Sequence, residues 1–258
     1  MAKKNDILFA QERKSQILDL VNKRKKVTVA ELCDYFKVSS ATIRNDLKDL
    51  QLKGLLIRTH GGAIEKNKMG FELDMRHRKT QNLAEKQKIA NIAINLIEDG
   101  DKIILDTGTT TLELAKLLYQ KKEITVVTND IEIARVLEDH NTIQIILMGG
   151  IIRKKFHCTV GILGNELCGG LRTDKAFMGV NALSLANGAS TPDIYQAQAK
   201  KSMIAIANKV ILLCDSSKIG RVSFVQFATL KDIDTIVTDS MDEKTRAKFE
   251  ENGVEVLL

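Results

Sequence analysis

The chain has 258 residues, 44% of them apolar, with one proline and no tryptophan; this allows one large domain or two ordinary ones and excludes a disordered or low-complexity chain. No stretch approaches the ~18 apolar residues of a membrane helix, the first residues MAKKNDILFAQERK contain no signal-peptide run, and Cys33, Cys158, Cys168 and Cys214 show no CxxC spacing, so we expect a cytoplasmic protein with reduced thiols, no disulfide framework and no membrane partner. The formal charge of +6 lies entirely in residues 1–64, which hold 13 Lys and Arg against 7 Asp and Glu, while the remainder carries 26 of each; a neutral domain joined to a small basic one suggests contact with a polyanion.

Residues 10–24 place Ile17, Leu18 and Val21 at helical spacing. Thr28-Val29-Ala30-Glu31 reads as a capping box for a second helix carrying Ala30, Leu32, Cys33 and Phe36. Ser39-Ser40 then caps a third helix, ATIRNDLKDLQLK, which stops at Gly54. LLIRTHGGAI has β-character around a Gly-Gly turn. Short helices joined by a tight turn and followed by a hairpin predict a winged helix-turn-helix.

On the third helix Ile43, Leu47 and Leu50 share one face, and Ala41, Arg44, Asn45 and Lys48 project the other way. Arginine can fork onto guanine, asparagine can pair with adenine and lysine can meet phosphate. Asp46 and Asp49 fall to the side. The expected DNA-contacting set is Ser39, Ser40, Thr42, Arg44, Asn45 and Lys48, with Arg58, Thr59 and His60 of the wing. Residues 1–64 are thus read as a DNA-binding domain and the polar stretch 65–80, EKNKMGFELDMRHRKT, as a linker.

From residue 81 to 258 helical and apolar strand-like runs alternate, predicting an α/β domain with a mainly parallel sheet covered on both faces. Ligand-binding residues in such sheets sit beyond strand C-terminal ends. Asp106-Thr107-Gly108-Thr109-Thr110-Thr111 follows the strand KIILD and opens a helix, which makes a phosphate cradle of amides, a glycine and hydroxyls. It lacks GxxxxGK[ST] and is no nucleotide P-loop. Lys218, in Asp215-Ser216-Ser217-Lys218 after VILLC, is a candidate cation. Asn129 after ITVVT and Gly149-Gly150 after IQIIL are further strand-end candidates, each with a plainer reading as a cap or turn.

These runs resemble, in order and across nearly the whole chain, the DeoR-type repressors of sugar metabolism. Thr42-Ile43-Arg44, Asp46-Leu47 and Arg58-Thr59-His60-Gly61-Gly62-Ala63 carry the DNA-binding part of the resemblance. Asn45 departs from it, standing where the family usually has a second arginine. DTGTTT, TVVTND, LMGG, DKAFMGV, STP, AKKSMI and DSSK carry the remainder. The resemblance implies a sensor domain similar in fold to ribose-5-phosphate isomerase. In that domain Gly108, Thr109, Thr110 and Thr111 would hold the phosphate of a phosphorylated sugar, with Lys86 and Lys218 as cations. It also implies repression as the usual mode of action. Tyr195-Gln196-Ala197-Gln198 departs from the family where an acidic residue is common, at the sugar end of the site.

The isomerase's chemistry is associated with a Gly-Ala-Asp-Glu segment, and moving a proton beside a carbonyl needs a carboxylate base. The matching stretch here is Gly179-Val180-Asn181-Ala182, with both acids absent; Asp193 and Asp215 are the remaining candidates for a base. We therefore expect a binding domain, not an enzyme, without metal or cofactor, in a homo-oligomer (dimer or tetramer) that binds a double-stranded DNA operator.

Overall fold

The computed structural model describes residues 10–24, 26–65, 72, 75–161 and 169–258. The chain divides into two compact units, Met1–Leu73 and Asp74–Leu258.

The first unit holds α1 (Ala10–Arg24), β1 (Lys26–Thr28), α2 (Val29–Phe36), α3 (Ser40–Leu52), β2 (Leu56–Thr59) and β3 (Gly62–Glu65). The caps read from sequence are present. Thr28 Oγ1 accepts from the Glu31 amide at 3.2 Å, and Glu31 returns a carboxylate to the Thr28 amide at 2.7 Å. Ser39 Oγ accepts from the Thr42 amide at 3.2 Å. These side chains satisfy amides that a helix start leaves without partners. Ile17, Leu18, Val21, Leu32, Ile43, Leu47 and Leu50 close one core with Leu56 and Ala63. The wing is a three-stranded antiparallel sheet in the order β1-β3-β2, since β1 adds to the expected hairpin. Only glycine fits at 62, where a Cβ would lie 1.9 Å from the Val27 carbonyl oxygen.

The two aspartates of α3 turn toward α1. Asp46 is buried and accepts from Arg13 Nε at 2.6 Å, with Lys14 at 3.8 Å. Asp49 takes Lys14 at 2.5 Å. Both acids of the helix are thus neutralised within the unit, away from the outward Arg44, Asn45 and Lys48.

The second unit is built on a seven-stranded parallel sheet in the order β15-β14-β12-β9-β4-β5-β6. Its strands are β4 (Lys102–Leu105), β5 (Ile124–Thr128), β6 (Ile143–Leu147), β9 (Thr173–Gly179), β12 (Ala207–Leu213), β14 (Thr235–Val237) and β15 (Glu255–Leu257). Period-two alternation sorts their side chains into two cores. Ile103, Leu105, Phe177, Ile211 and Leu213 pack with α5 (Leu83–Ala93), α6 (Thr109–Ala115) and α7 (Ile131–Leu137). Ile104, Ala176, Met178 and Leu212 pack on the other face with Met203 of α8 (Ile194–Ala205) and Phe249 of α9 (Glu243–Glu251). No helix is long and apolar enough to cross a membrane among the described residues.

Short antiparallel pieces that the apolar runs do not announce complete the unit. They are β7 (Ile151–Arg153) paired with β8 (Cys158–Val160), and a sheet of β10 (Ala182–Ser184), β11 (Gly188–Thr191) and β13 (Val225–Ala228). Residues 75–80, read from sequence as the end of a linker, form helix α4 (Met75–Thr80) within this unit. Its anchor, Met75, is fully buried and its amide donates to the Lys155 carbonyl at 3.1 Å; one apolar side chain in a polar stretch gives no periodicity to read.

The strand order reverses between β4 and β9, so their C-terminal ends form the topological switch point. A buried ion pair fixes it. Asp106, just past β4, accepts from the Gly179 amide at 2.9 Å and from Lys200 Nζ. Lys200 also donates to the Gly179 carbonyl at 2.8 Å. One carboxylate and one ammonium thereby hold both polar groups of the last residue of β9.

Removing one member of such a pair strands the other in low dielectric, at a cost of about 3–5 kcal/mol. Lys200→Met should lose stability of this order in urea unfolding of the second unit, and Asp106→Leu combined with Lys200→Met should recover part of it. Asp46→Ala should destabilise the first unit by ~3 kcal/mol, because it removes the buried carboxylate that Arg13 and Lys14 share. Unfolding midpoints equal to wild type would show that these pairs do not hold the fold.

Candidate functional site

The outward face of α3 carries exposed Ala41, Arg44, Asn45 and Lys48, while Ile43, Leu47 and Leu50 are buried beneath. Ser40 is exposed and accepts from Arg44 Nη1 at 3.3 Å. Ser39 is occupied as the cap, with Thr42 Oγ1 at 2.9 Å from its hydroxyl. Thr59 and His60 are exposed at the tip of the β2–β3 turn and Arg58 is half-buried on β2. Cations, an amide and hydroxyls thus stand exposed on α3 and at the β2–β3 turn, the chemistry that reads base edges and phosphates.

In the second unit a narrow cleft opens at the switch point. Gly108, Thr109 and Thr110 line it from the start of α6, Lys86 from α5 and Lys218 from the turn after β12. These five positions were singled out in the sequence. Arg78 of α4, Asn82, Gly179 and Asp215 are also among its walls. Three cations therefore surround the opening, and the DeoR-like motif contains no hint of Arg78, which lies in the stretch read as linker.

Lys86 is buried, and its Nζ donates to the Arg78 carbonyl at 2.5 Å and to the Gln81 carbonyl. Burial, and then the charge of Arg78, lower its pKa to about 8; Asp215 and Glu113 oppose the shift while Lys218 adds to it. Asp215 is held below the usual carboxylate range despite its burial, by Lys218 at 4.0 Å, by the Ser217 hydroxyl, by Lys86 and by Asn82 Nδ2 at 3.1 Å. Asn82 itself is left-handed at φ 51°, the corner between α4 and α5; asparagine tolerates that region better than most residues.

Other strand-end candidates stand away from the cleft walls. Asp106 is the buried partner of Lys200; burial pushes its carboxyl up, opposed by that ammonium and the Gly179 amide. Thr107 Oγ1 donates to Asp130 at 2.7 Å, and Thr111 Oγ1 donates to the Gly108 carbonyl at 2.9 Å, shaping the loop from beneath. Asn129 Nδ2 donates to the Thr159 carbonyl at 2.9 Å, tying β5 to β8. Gly149 and Gly150 lead into β7; Gly150 has φ 137°, and a Cβ there would meet the Val160 carbonyl oxygen at 2.5 Å. Lys200, Asp130 and Asn82, which organise the site, are missed by sequence reasoning because each acts through a contact far away in the chain.

At the segment matching the isomerase's acids, Asn181 Oδ1 accepts from Thr191 Oγ1 at 3.0 Å. Asp193 caps α8 through the Gln196 amide at 2.8 Å and faces Arg153 at 3.3 Å. Both acids that would serve as a base, Asp193 and Asp215, are thus engaged in structural bonds. A second, more open cavity of about 580 Å³ borders the Ser216–Lys218 turn. Leu185, Ile219, Met241 and Phe249 line it, with Ser216, Ser240, Asp242 and Thr245, and no cation is among its lining residues. No cluster of His, Cys, Asp and Glu suited to a metal occurs among the described residues. Cys158 and Cys214 are buried, and burial pushes both thiols up; Cys168 lies outside the described residues.

Residues 13–68 match the DeoR-like helix-turn-helix domain and residues 81–240 the DeoR C terminal sensor domain. The HTH-type transcriptional regulator GlpR of Haloferax volcanii is 37% identical over 97% of this chain and 98% of its own. The HTH-type transcriptional repressor GlcR of Bacillus subtilis is 35% identical over 97% of each chain. The lactose phosphotransferase system repressor of Staphylococcus epidermidis is 34% identical over 95% of this chain and 98% of its own. Among solved structures, ribose 5-phosphate isomerase A of Methanocaldococcus jannaschii is similar at a TM-score of 0.40 and 19% identity, over 54% of this chain and 55% of that one. Both domain models in their order, and relatives named as regulators and repressors along the full length, place this chain in the DeoR family of DNA-binding transcriptional repressors, not among enzymes.

Proposed function

We propose that the protein represses a carbohydrate-utilisation operon as a homo-oligomer, and that a phosphorylated sugar bound in the sensor unit alters its affinity for the operator. The observation that carries the effector reading is the cleft at the β4–β9 switch point, where Lys86, Lys218 and Arg78 surround Gly108-Thr109-Thr110. Clustered cations beside a glycine and hydroxyls suit a phosphate monoester far better than a neutral sugar. Relatives named as the lactose phosphotransferase system repressor and a putative aga operon transcriptional repressor support the carbohydrate setting. DNA contact is assigned to Ser39, Ser40, Thr42, Arg44, Asn45 and Lys48, with Arg58, Thr59 and His60. Two or more copies are invoked because one recognition helix reads only a half-site.

The coupling is thermodynamic. Effector and operator favour different arrangements of the oligomer, so each weakens the other by ~1–3 kcal/mol, or about 5–150-fold.

Two experiments test this reading. In mobility-shift titrations on the DNA upstream of the gene, Arg44→Ala should weaken specific binding by about 1–3 kcal/mol; unchanged affinity removes Arg44 from the interface. Calorimetry against a panel of sugar phosphates, with the unphosphorylated sugars as controls, should find binding only among the phosphorylated compounds, and the bound compound should change operator affinity. Because Lys86 has a pKa of about 8 in the free protein and a phosphate raises it, binding should take up a proton. Affinity should fall by up to about tenfold per pH unit as pH rises above 8, where the monoester already carries its full charge. A flat profile from pH 7 to 9.5 would place the phosphate away from Lys86.

A further inference from the structure

We infer that Arg78 is an anion ligand supplied by α4, and that anion binding tightens α4 onto the sensor unit through Arg78 and Lys86 together. The inference rests on the effector reading above and names the element that carries its effect.

A helix of six residues has too few internal hydrogen bonds to persist alone; α4 depends on its ties. At its start, Met75 is buried and bonded to Lys155. In its last turn, Lys79 pairs with Glu132 of α7, whose other oxygen meets His157 Nδ1 at 3.0 Å. At its end, the carbonyls of Arg78 and Gln81 would lack helical partners, and both accept from Lys86.

That third tie is the sensitive one. An ammonium has three N–H groups; two go to these carbonyls, leaving one for the cleft. The charge that makes the bonds strong is weakly held, because burial and Arg78 both disfavour it. An anion in the cleft opposes this: it keeps the ammonium that holds the two carbonyls charged to a higher pH, takes its remaining N–H, and binds the Arg78 guanidinium from the same helix. Anion, Lys86 and α4 then close into one hydrogen-bonded unit. Because α4 is the first element after the boundary at residues 73–74, the anion fixes the point from which the chain leads back to the DNA-binding unit.

Hydrogen exchange on the full-length protein with inorganic phosphate as probe tests this. Amides 75–82 should exchange several-fold more slowly at saturating phosphate. Arg78→Gln should lower phosphate affinity by roughly tenfold and abolish the slowing, Arg78→Lys should restore part of both, and Lys86→Gln should leave α4 exchanging fast with or without phosphate. Wild-type phosphate affinity in Arg78→Gln, or exchange of 75–82 that is unchanged or faster in phosphate-saturated wild type, overturns the inference and leaves the effector reading intact. Failure of the wild-type chain to bind phosphate or any sugar phosphate overturns both.

Discussion

The sensor unit depends on one constraint, the fixing of two strand ends where the sheet changes direction. A parallel sheet whose chain runs outward from β4 and then restarts at β9 leaves a crevice beyond the C-terminal ends of those two paired strands. Left to itself, that opening would hold loose loop backbone. Asp106 and Lys200 close it from below by taking both the amide and the carbonyl of Gly179. The loop that follows Asp106 is pinned in turn, through Thr107 to Asp130 and Thr111 to Gly108. What remains open above is the short run Gly108-Thr109-Thr110 with three cations around it. The buried polar residues thus act as a foundation for the loop that faces the cleft.

The first unit applies the same division of labour to charge. Its surplus of bases is partly spent internally, as Arg13 and Lys14 neutralise the acids of α3. The helix therefore exposes Arg44, Asn45 and Lys48, with Asp46 buried and the half-exposed Asp49 paired to Lys14. Counting charges along the chain understates how positive that face is.

Local signals were legible in the sequence. The capping box at Thr28, the cap at Ser39, the buried triplet Ile43, Leu47 and Leu50, and the main parallel strands all follow from spacings of three, four or two residues. The loop Gly108–Thr110 and Lys218 were legible because strand ends in α/β sheets are where ligands sit, whereas Lys86, inside helix α5, was legible only through the family resemblance. Three things were hidden. β1, β7 and β8 have three residues each, too few for alternation to register. α4 is held by tertiary ties and reads locally as a polar linker. Lys200 looks like one lysine of a charged helix until the fold sets it against Asp106, 94 positions earlier.

The corner at Asn82 concentrates two duties in one side chain. It supplies a backbone twist that most residues resist, and its amide reaches across to Asp215 beside Lys218. Glycine would keep the bend and lose the tether; alanine would keep neither. Sequence drift in such a repressor is thus narrowly channelled at this position, where one carboxamide ties the end of α4 to the turn after β12.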